Sequence, residues 1–222
     1  MDQLDADDLA SLPAYARERW PVAFERATRK IASAVPDRSA HQLIKAAQRA
    51  SSASQRVVWL RRAGSAWAKP LQAVSACRAG CSHCCHIPLT ISSIEADLIG
   101  RQAGIQPARP AHAVRLQDFE DMDSAMAAIE AISTQPGPSP CPFLKNGACS
   151  VYDVRPMACR LLVNLDDDDL LCQLVPGQAI PVPYANSQVL KGMYLAAQPA
   201  AALADIRDFF PSPTTTSTSR QP

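Results

Sequence analysis

The sequence predicts a mainly α protein: a helical domain with a small β-hairpin and irregular loops. Three observations predict it. Apolar residues recur at three- and four-residue steps over long stretches, which is the period of an amphipathic helix. Strand-forming runs are nearly absent, and the best tight-turn signal, Asn146-Gly147, lies between short apolar runs. Seven of the eight cysteines fall into two groups, Cys77 to Cys85 and Cys141 to Cys159, separated by polar and Pro-rich chain. Loops rich in thiols and poor in period are expected to be organised by what the thiols hold, so the hairpin and loops should gather around a cysteine-ligated metal centre.

The elements follow in order. A helix is expected from Tyr15 to Val35, with Pro21 starting or kinking it. Ser39-Ala40-His41-Gln42 fits a capping box, in which Ser and Gln satisfy backbone donors reciprocally. After it, Leu43, Ala47, Ala50, Val57, Leu60 and Trp67 form one apolar stripe, which predicts a single helix ended by Pro70. Ser92-Ser93-Ile94-Glu95 is a second capping box, and Gly104 a C-terminal stop. A helix is expected over 112–133, with Val114, Phe119, Met122, Met126 and Ile129 inward, broken by the Gln135–Pro140 run. Asn146-Gly147 then places Cys141 and Cys149 on opposite hairpin arms. Asp153 to Leu162 should be a short helix carrying Cys159, and Asp166 to Asp169 an acidic loop. Helices are expected over Ala185–Ala197 and Ala200–Phe210, and the Ser/Thr/Pro-rich tail from Pro211 should be disordered. The 222 residues thus divide into a basic helical segment (1–70), a cysteine-cluster domain (71–210) and a tail (211–222).

Net charge is +1 and names no partner, but its distribution is uneven. Residues 17 to 78 carry thirteen Lys/Arg against three Asp/Glu, whereas residues 79 to 222 carry nine against fourteen. The basic segment is expected to dock on the acidic half; nucleic acid is the lesser alternative, and a protein partner stays open. The acidic start lacks the basic-then-apolar order of a secretory leader. No apolar run is long enough to span a membrane, so the expected location is the cytoplasm. Thiols stay reduced there, which favours metal or redox roles over disulfides.

Cys77-x3-Cys81-x2-Cys84-Cys85 packs four thiols into nine residues, and Cys141, Cys149 and Cys159 follow on the hairpin and the helix after it. Close spacing brings sulfurs together at little loop-closure cost. Adjacent Cys84 and Cys85 could bridge as a disulfide only with strain. Cys172 stands apart among Leu170, Leu171 and Leu174 and reads equally as a buried thiol or a ligand. His83 and His86 are further ligand candidates, whereas His41 and His112 read as surface residues.

Together with Cys141-Pro142-Phe143-Leu144 and the Tyr152-x2-Arg155-Pro156-x2-Cys159-Arg160 signature, this pattern resembles the CxxCxxCC cysteine-cluster family, a zinc- or iron-chelating domain related to flagellin lysine N-methylases. The resemblance spans about residues 77 to 163. It implies that Cys77, Cys81, Cys84, Cys85, Cys141, Cys149 and Cys159 are the metal residues, and it leaves the metal open between zinc and iron. Arg155 and Arg160, beside Cys159, are expected to neutralise the thiolates and donate to sulfur from behind them. Pro156 should start the short helix.

Seven cysteines exceed one four-ligand zinc site and fall one short of two, the second of which Cys172 or a histidine could complete; iron–sulfur clusters also take four thiolates with a spare, redox-active cysteine beside them, and the reading leans slightly to iron–sulfur. The leading expectation is a redox or metal-handling accessory protein. The alternatives are a SAM-dependent lysine methylase-like enzyme or iron–sulfur oxidoreductase, and a zinc-stabilised interaction module. Cys77-x3-Cys81-x2-Cys84 also matches the radical SAM signature, but that barrel needs repeated strand–helix units which this chain lacks. No Gly-rich phosphate loop and no Ser/His/Asp arrangement is present.

Overall fold

A computed structural model describes residues 4–78, 80–134, 139–176 and 178–211. Among these residues nine α-helices and four short strands are formed. The first four helices are α1 (Ala6–Ser11), α2 (Ala14–Ser33), α3 (Ser39–Arg49) and α4 (Ala53–Gln72). In α2, Ala16, Trp20, Ala23 and Ala27 recur at three- and four-residue steps and are buried. Pro21 lies inside this helix rather than at its start; both it and Arg17, whose carbonyl it leaves without a helical donor, are exposed, so water can replace the lost bond.

The single helix expected across Ser39 to Trp67 is two helices. Ala50 is extended, and Ser52 caps α4 by accepting from the Gln55 N–H at 3.2 Å. Ala50 and Val57 are one heptad apart, so the stripe keeps its phase across the break and conceals it. The capping box at Ser39 does not form: Ser39 is already helical, and Asp37 accepts from its N–H instead. Pro70 sits within the last turn of α4, which runs two residues past it.

The cysteine loop leads to β1 (Thr90–Ser92) and α5 (Ser93–Ala103). Ser92 caps α5 as expected, and Gly104 ends it in the left-handed conformation at φ 67°. Helix α6 (Met122–Thr134) is ten residues shorter at its start than the periodicity suggested. Asp121 accepts from the Ser124 N–H and fixes that start, while Val114 leaves the helical path to bridge Leu203. Ala125 and Ile129 are buried, whereas Met122 and Met126 are exposed, which corrects their expected inward placement. The Gln135–Pro138 part of the predicted break lies outside the described residues.

The hairpin forms as β2 (Leu144–Lys145) and β3 (Ala148–Cys149), with Asn146 at φ 51° and Gly147 at φ 75° in its turn. It leads to α7 (Met157–Leu161), capped by Pro156, and later to α8 (Gln188–Ala196). The helix expected over Ala200–Phe210 is instead strand β4 (Leu203–Asp205) followed by α9 (Ile206–Phe209). β4 pairs antiparallel with β1, Ile91 opposite Ala204, because the otherwise unpaired β1 edge takes up its backbone groups. The expectation for the tail from 212 falls outside the described residues.

Four apolar clusters fill the interior. One packs Leu89, Ile91, Ile99, Phe143, Phe209 and Phe210 behind the cysteines. A second joins α3 and α4 to α7 and α8 through Val57, Leu60, Met157, Leu161, Leu190 and Tyr194. The other two seat α2 and the end of α4 on residues 163–185. The basic segment docks on the acidic loop: Arg19 grips buried Asp166 at 2.7 and 3.0 Å and reaches Asp168, Arg26 reaches Asp166 and Asp167, and Lys30 pairs with Asp167. Among the described residues no helix is long and apolar enough to cross a membrane.

Candidate metal centre

All eight cysteines are free thiols. They fall into two groups, with Cys84 of the first also in electrostatic reach of Cys77 of the second. Cys84 and Cys85 lie on a single 3-10 turn (His83–Cys85) and are hydrogen-bonded to one another through their thiols. The Cys141 N–H donates to the Cys85 carbonyl at 2.6 Å, which sews the hairpin segment onto this turn. Cys149 follows across the hairpin and Cys159 from α7; these two and Cys141 pack against the apolar cluster of Phe143, Phe209 and Phe210. Cys85 is in electrostatic reach of Cys84, Cys141 and Cys159, and Cys159 of Cys84, Cys141 and Cys149. Ionising any one raises the cost of ionising the next.

The charge state of this group follows from that crowding. The hydrogen bond from the Cys85 thiol brings Cys84 down to about 7, assisted by the Arg155 guanidinium. Donating that bond, together with burial, holds Cys85 far above the ordinary thiol range. Burial pushes Cys159 well up and Cys141 up. Thiols in such surroundings become thiolates when a cation takes the proton's place.

The remaining thiols, Cys77, Cys81 and Cys172, form the second group. Asn164 ties two of them: its backbone N–H donates to Cys77 Sγ at 3.4 Å and its side-chain Nδ2 to Cys172 Sγ at 3.3 Å. Cys172 is thus beside Cys77 and Cys81, although the sequence separates it from both motifs. Burial lifts it to about 12. A cavity of about 390 Å³ opens here, lined by Cys81, His83, His86, Asp169 and Cys172 among others.

The two arginines of the signature act differently from one another. Arg155 stacks over Tyr152 at 4.3 Å and stands in electrostatic reach of Cys84. Arg160 spends its donors on the Arg155 carbonyl at 2.8 Å, the Asp153 carbonyl at 2.6 Å and Ser65 Oγ at 2.7 Å. It therefore braces the turn before α7 rather than a sulfur, and burial lowers it to about 10.

Three supporting residues carry no motif signal. Glu95, wholly buried, accepts from the Met157 N–H and the Tyr194 hydroxyl, both at 2.7 Å, and lies 3.4 Å from Arg61 Nε. It thereby fixes the start of α7 two residues before Cys159. Its position in a capping box hinted only at a helix start. Arg207 binds the Cys85 and Ile87 carbonyls at 3.2 and 3.3 Å and pairs with Asp205, whose carboxylate accepts from the Leu89 N–H. Asn164 is the third. All three act across 60 residues or more of chain, beyond the reach of any local pattern.

Among the described residues no three Cys, His, Asp or Glu side chains already stand at metal-holding separation. The donor chemistry nonetheless fits zinc or iron: soft thiolates with an imidazole alongside, and a buried His83 Nδ1 that no hydrogen bond satisfies. Neither the curated proteins nor the solved structures give a match to this chain. A family model does: residues 76–174 match CxxCxxCC, described as "Putative zinc- or iron-chelating domain". On its cysteine motifs, their order and this match, the segment from residue 76 to residue 174 is a member of the CxxCxxCC family.

Proposed function

We propose that this protein is a redox or metal-handling accessory whose five-thiol group, Cys84, Cys85, Cys141, Cys149 and Cys159, holds an iron–sulfur cluster. The observation that carries the reading is the crowding of five thiols drawn from three separate stretches, of which Cys141, Cys149 and Cys159 pack against one apolar wall. Four can ligate, and the fifth is left as a reactive neighbour. The apolar backing of Phe143 and Phe210, in edge contact at 4.8 Å, limits water behind the group. Arg155 and Arg207 supply the nearby positive charge that a cluster of thiolates needs. A bound cluster would supply one-electron chemistry; the chain's own residues orient the thiols and exclude solvent.

Anaerobic purification with iron, zinc and acid-labile sulfide analysis tests this. Brown protein with matched iron and sulfide is expected, and Cys84→Ser or Cys159→Ser should bleach it. Zinc without sulfide would replace the cluster by a zinc site on the same thiols. Protein that folds normally without either metal would end the chelation reading.

A further inference from the structure

Residues 38 to 94 contain eight Lys/Arg and no Asp/Glu, and only three of those cations are spent on the fold. We propose that the other five, Arg38, Lys45, Arg49, Arg62 and Lys69, form a surface on α3 and α4 that binds the phosphate backbone of a single-stranded nucleic acid. This surface uses no residue of the metal centre and stands whether or not a metal is bound.

Three observations carry it. First, the acids that could answer these charges are already taken. Arg56 is spent on the Ala197 carbonyl, Arg61 on Glu95 and Arg78 on Asp169. The rest of the acidic loop is closed by α2: Arg19 and Arg26 hold Asp166, Arg26 and Lys30 hold Asp167, and Arg19 holds Asp168. Arg38, Lys45, Arg49, Arg62 and Lys69 are exposed and, among the described residues, make neither an ion pair nor a side-chain hydrogen bond. Second, the five are arrayed. Arg38, itself helical, and Lys45 and Arg49 fall on one face of α3, opposite buried Ala47, in a row about 16 Å long. Arg62 and Lys69, two turns apart, line the face of α4 opposite buried Leu60, Gly64 and Leu71. The rows adjoin, because α3 and α4 pack together and Lys69 is in electrostatic reach of Asp37, the neighbour of Arg38. Third, the exposed Arg62 guanidinium stands over the Trp59 ring at 4.6 Å, a cation with an aromatic beneath it on which an unpaired base can stack.

The company of these cations selects the partner. A helix that lies on a membrane needs large apolar side chains beside its charges, whereas the exposed residues among the α3 cations are His41, Gln42 and Gln48. Charges held about 6 to 10 Å apart along a rigid helix suit a partner whose own charges repeat along one chain. Neutralising its phosphates releases counterions and needs no base-specific contact. The net charge of +1 conceals this face because the balancing acids lie outside residues 38 to 94.

Fluorescence anisotropy of a labelled oligothymidine of about twelve nucleotides, titrated with the full reduced chain, tests the assignment. With five phosphates neutralised, wild-type affinity should fall about 100-fold from about 50 to about 200 mM salt, a log–log slope near −3.5. Replacing Arg38, Lys45 and Arg49 together by Gln should weaken binding at low salt and cut that fall to about sevenfold. Circular dichroism checks that this variant folds; Arg62→Gln with Lys69→Gln reads the same slope from the other row, which should shrink by about 1.4. Replacing Arg101, Arg109 and Arg115 by Gln removes equal charge elsewhere on the surface and should leave binding near wild type. No binding by wild type at low salt, an unchanged slope in both α3 and α4 variants, or an equal loss in the Arg101, Arg109 and Arg115 variant would overturn the proposal. So would polyglutamate displacing the strand as well, charge for charge, as unlabelled oligothymidine, which would give the face to an acidic protein, or tighter binding to phosphatidylserine vesicles, which would give it to a membrane.

Discussion

Replacing Glu95 with alanine should be among the most damaging single changes outside the cysteines. The carboxylate is 1 % exposed and has three partners: the Met157 N–H and the Tyr194 hydroxyl at 2.7 Å, and Arg61 at 3.4 Å. Arg61 is itself buried, and its other end holds the Val154 and Arg155 carbonyls on the turn before α7. Deleting the carboxylate strands this cation and leaves the first N–H of α7 without an acceptor. Breaking a buried ion pair from one side costs about 3–5 kcal/mol. For a chain of this length each kcal/mol moves the melting temperature by about 2–4 °C, giving a drop of roughly 6–20 °C for Glu95→Ala. Differential scanning calorimetry at fixed metal loading measures it. Because Cys159 lies two residues beyond Met157, metal content should fall as well, whereas Glu95→Gln, which keeps an acceptor for Met157, should retain it. A melting shift below about 2 °C, or full metal retention in Glu95→Ala, would refute the argument that this carboxylate positions α7.

Other perturbations give further outcomes. A Cβ at Gly100 would run into the Ile105 carbonyl and sit 2.9 Å from Pro107 Cδ, so Gly100→Ala should lower stability by about 1–3 kcal/mol in urea unfolding despite the better helix former. Gly147 occupies φ 75° with open space around it, so Gly147→Ala carries only backbone strain of about 1–2 kcal/mol, read by the same method, and should loosen metal held by Cys149. Burial, opposed by Arg61 and the two hydrogen bonds, holds the Glu95 carboxyl above its ordinary value. Its contribution is then fully present below the unfolded carboxyl pKa of about 4.3 and is lost as pH rises through the folded value. The stability gap between wild type and Glu95→Gln should therefore narrow as pH rises above the unfolded carboxyl value; a constant gap would show that Glu95 titrates as it does in the unfolded chain.

The sequence by itself determined what depends on neighbours along the chain. Asn146-Gly147 specifies its turn because both residues tolerate positive φ, and Ser92 and Gly104 bracket α5 because cap chemistry is local. The cysteine motifs, read by their spacing, named the family. The amphipathic stripe also foretold helices, but its phase could not report the break at Ala50–Ser52, since a seven-residue step looks the same across two helices as along one. Only the tertiary structure decided the rest. It turned Leu203–Asp205 into a strand because β1 offered an edge. It sent Glu95 inward, from a capping position to a buried hub between α5, α7 and α8. It moved Cys172 from an isolated apolar run to the side of Cys77, through Asn164. Each of these depends on a contact across tens of residues, and the energy of such a contact is written in where the chain returns rather than in any window of its sequence.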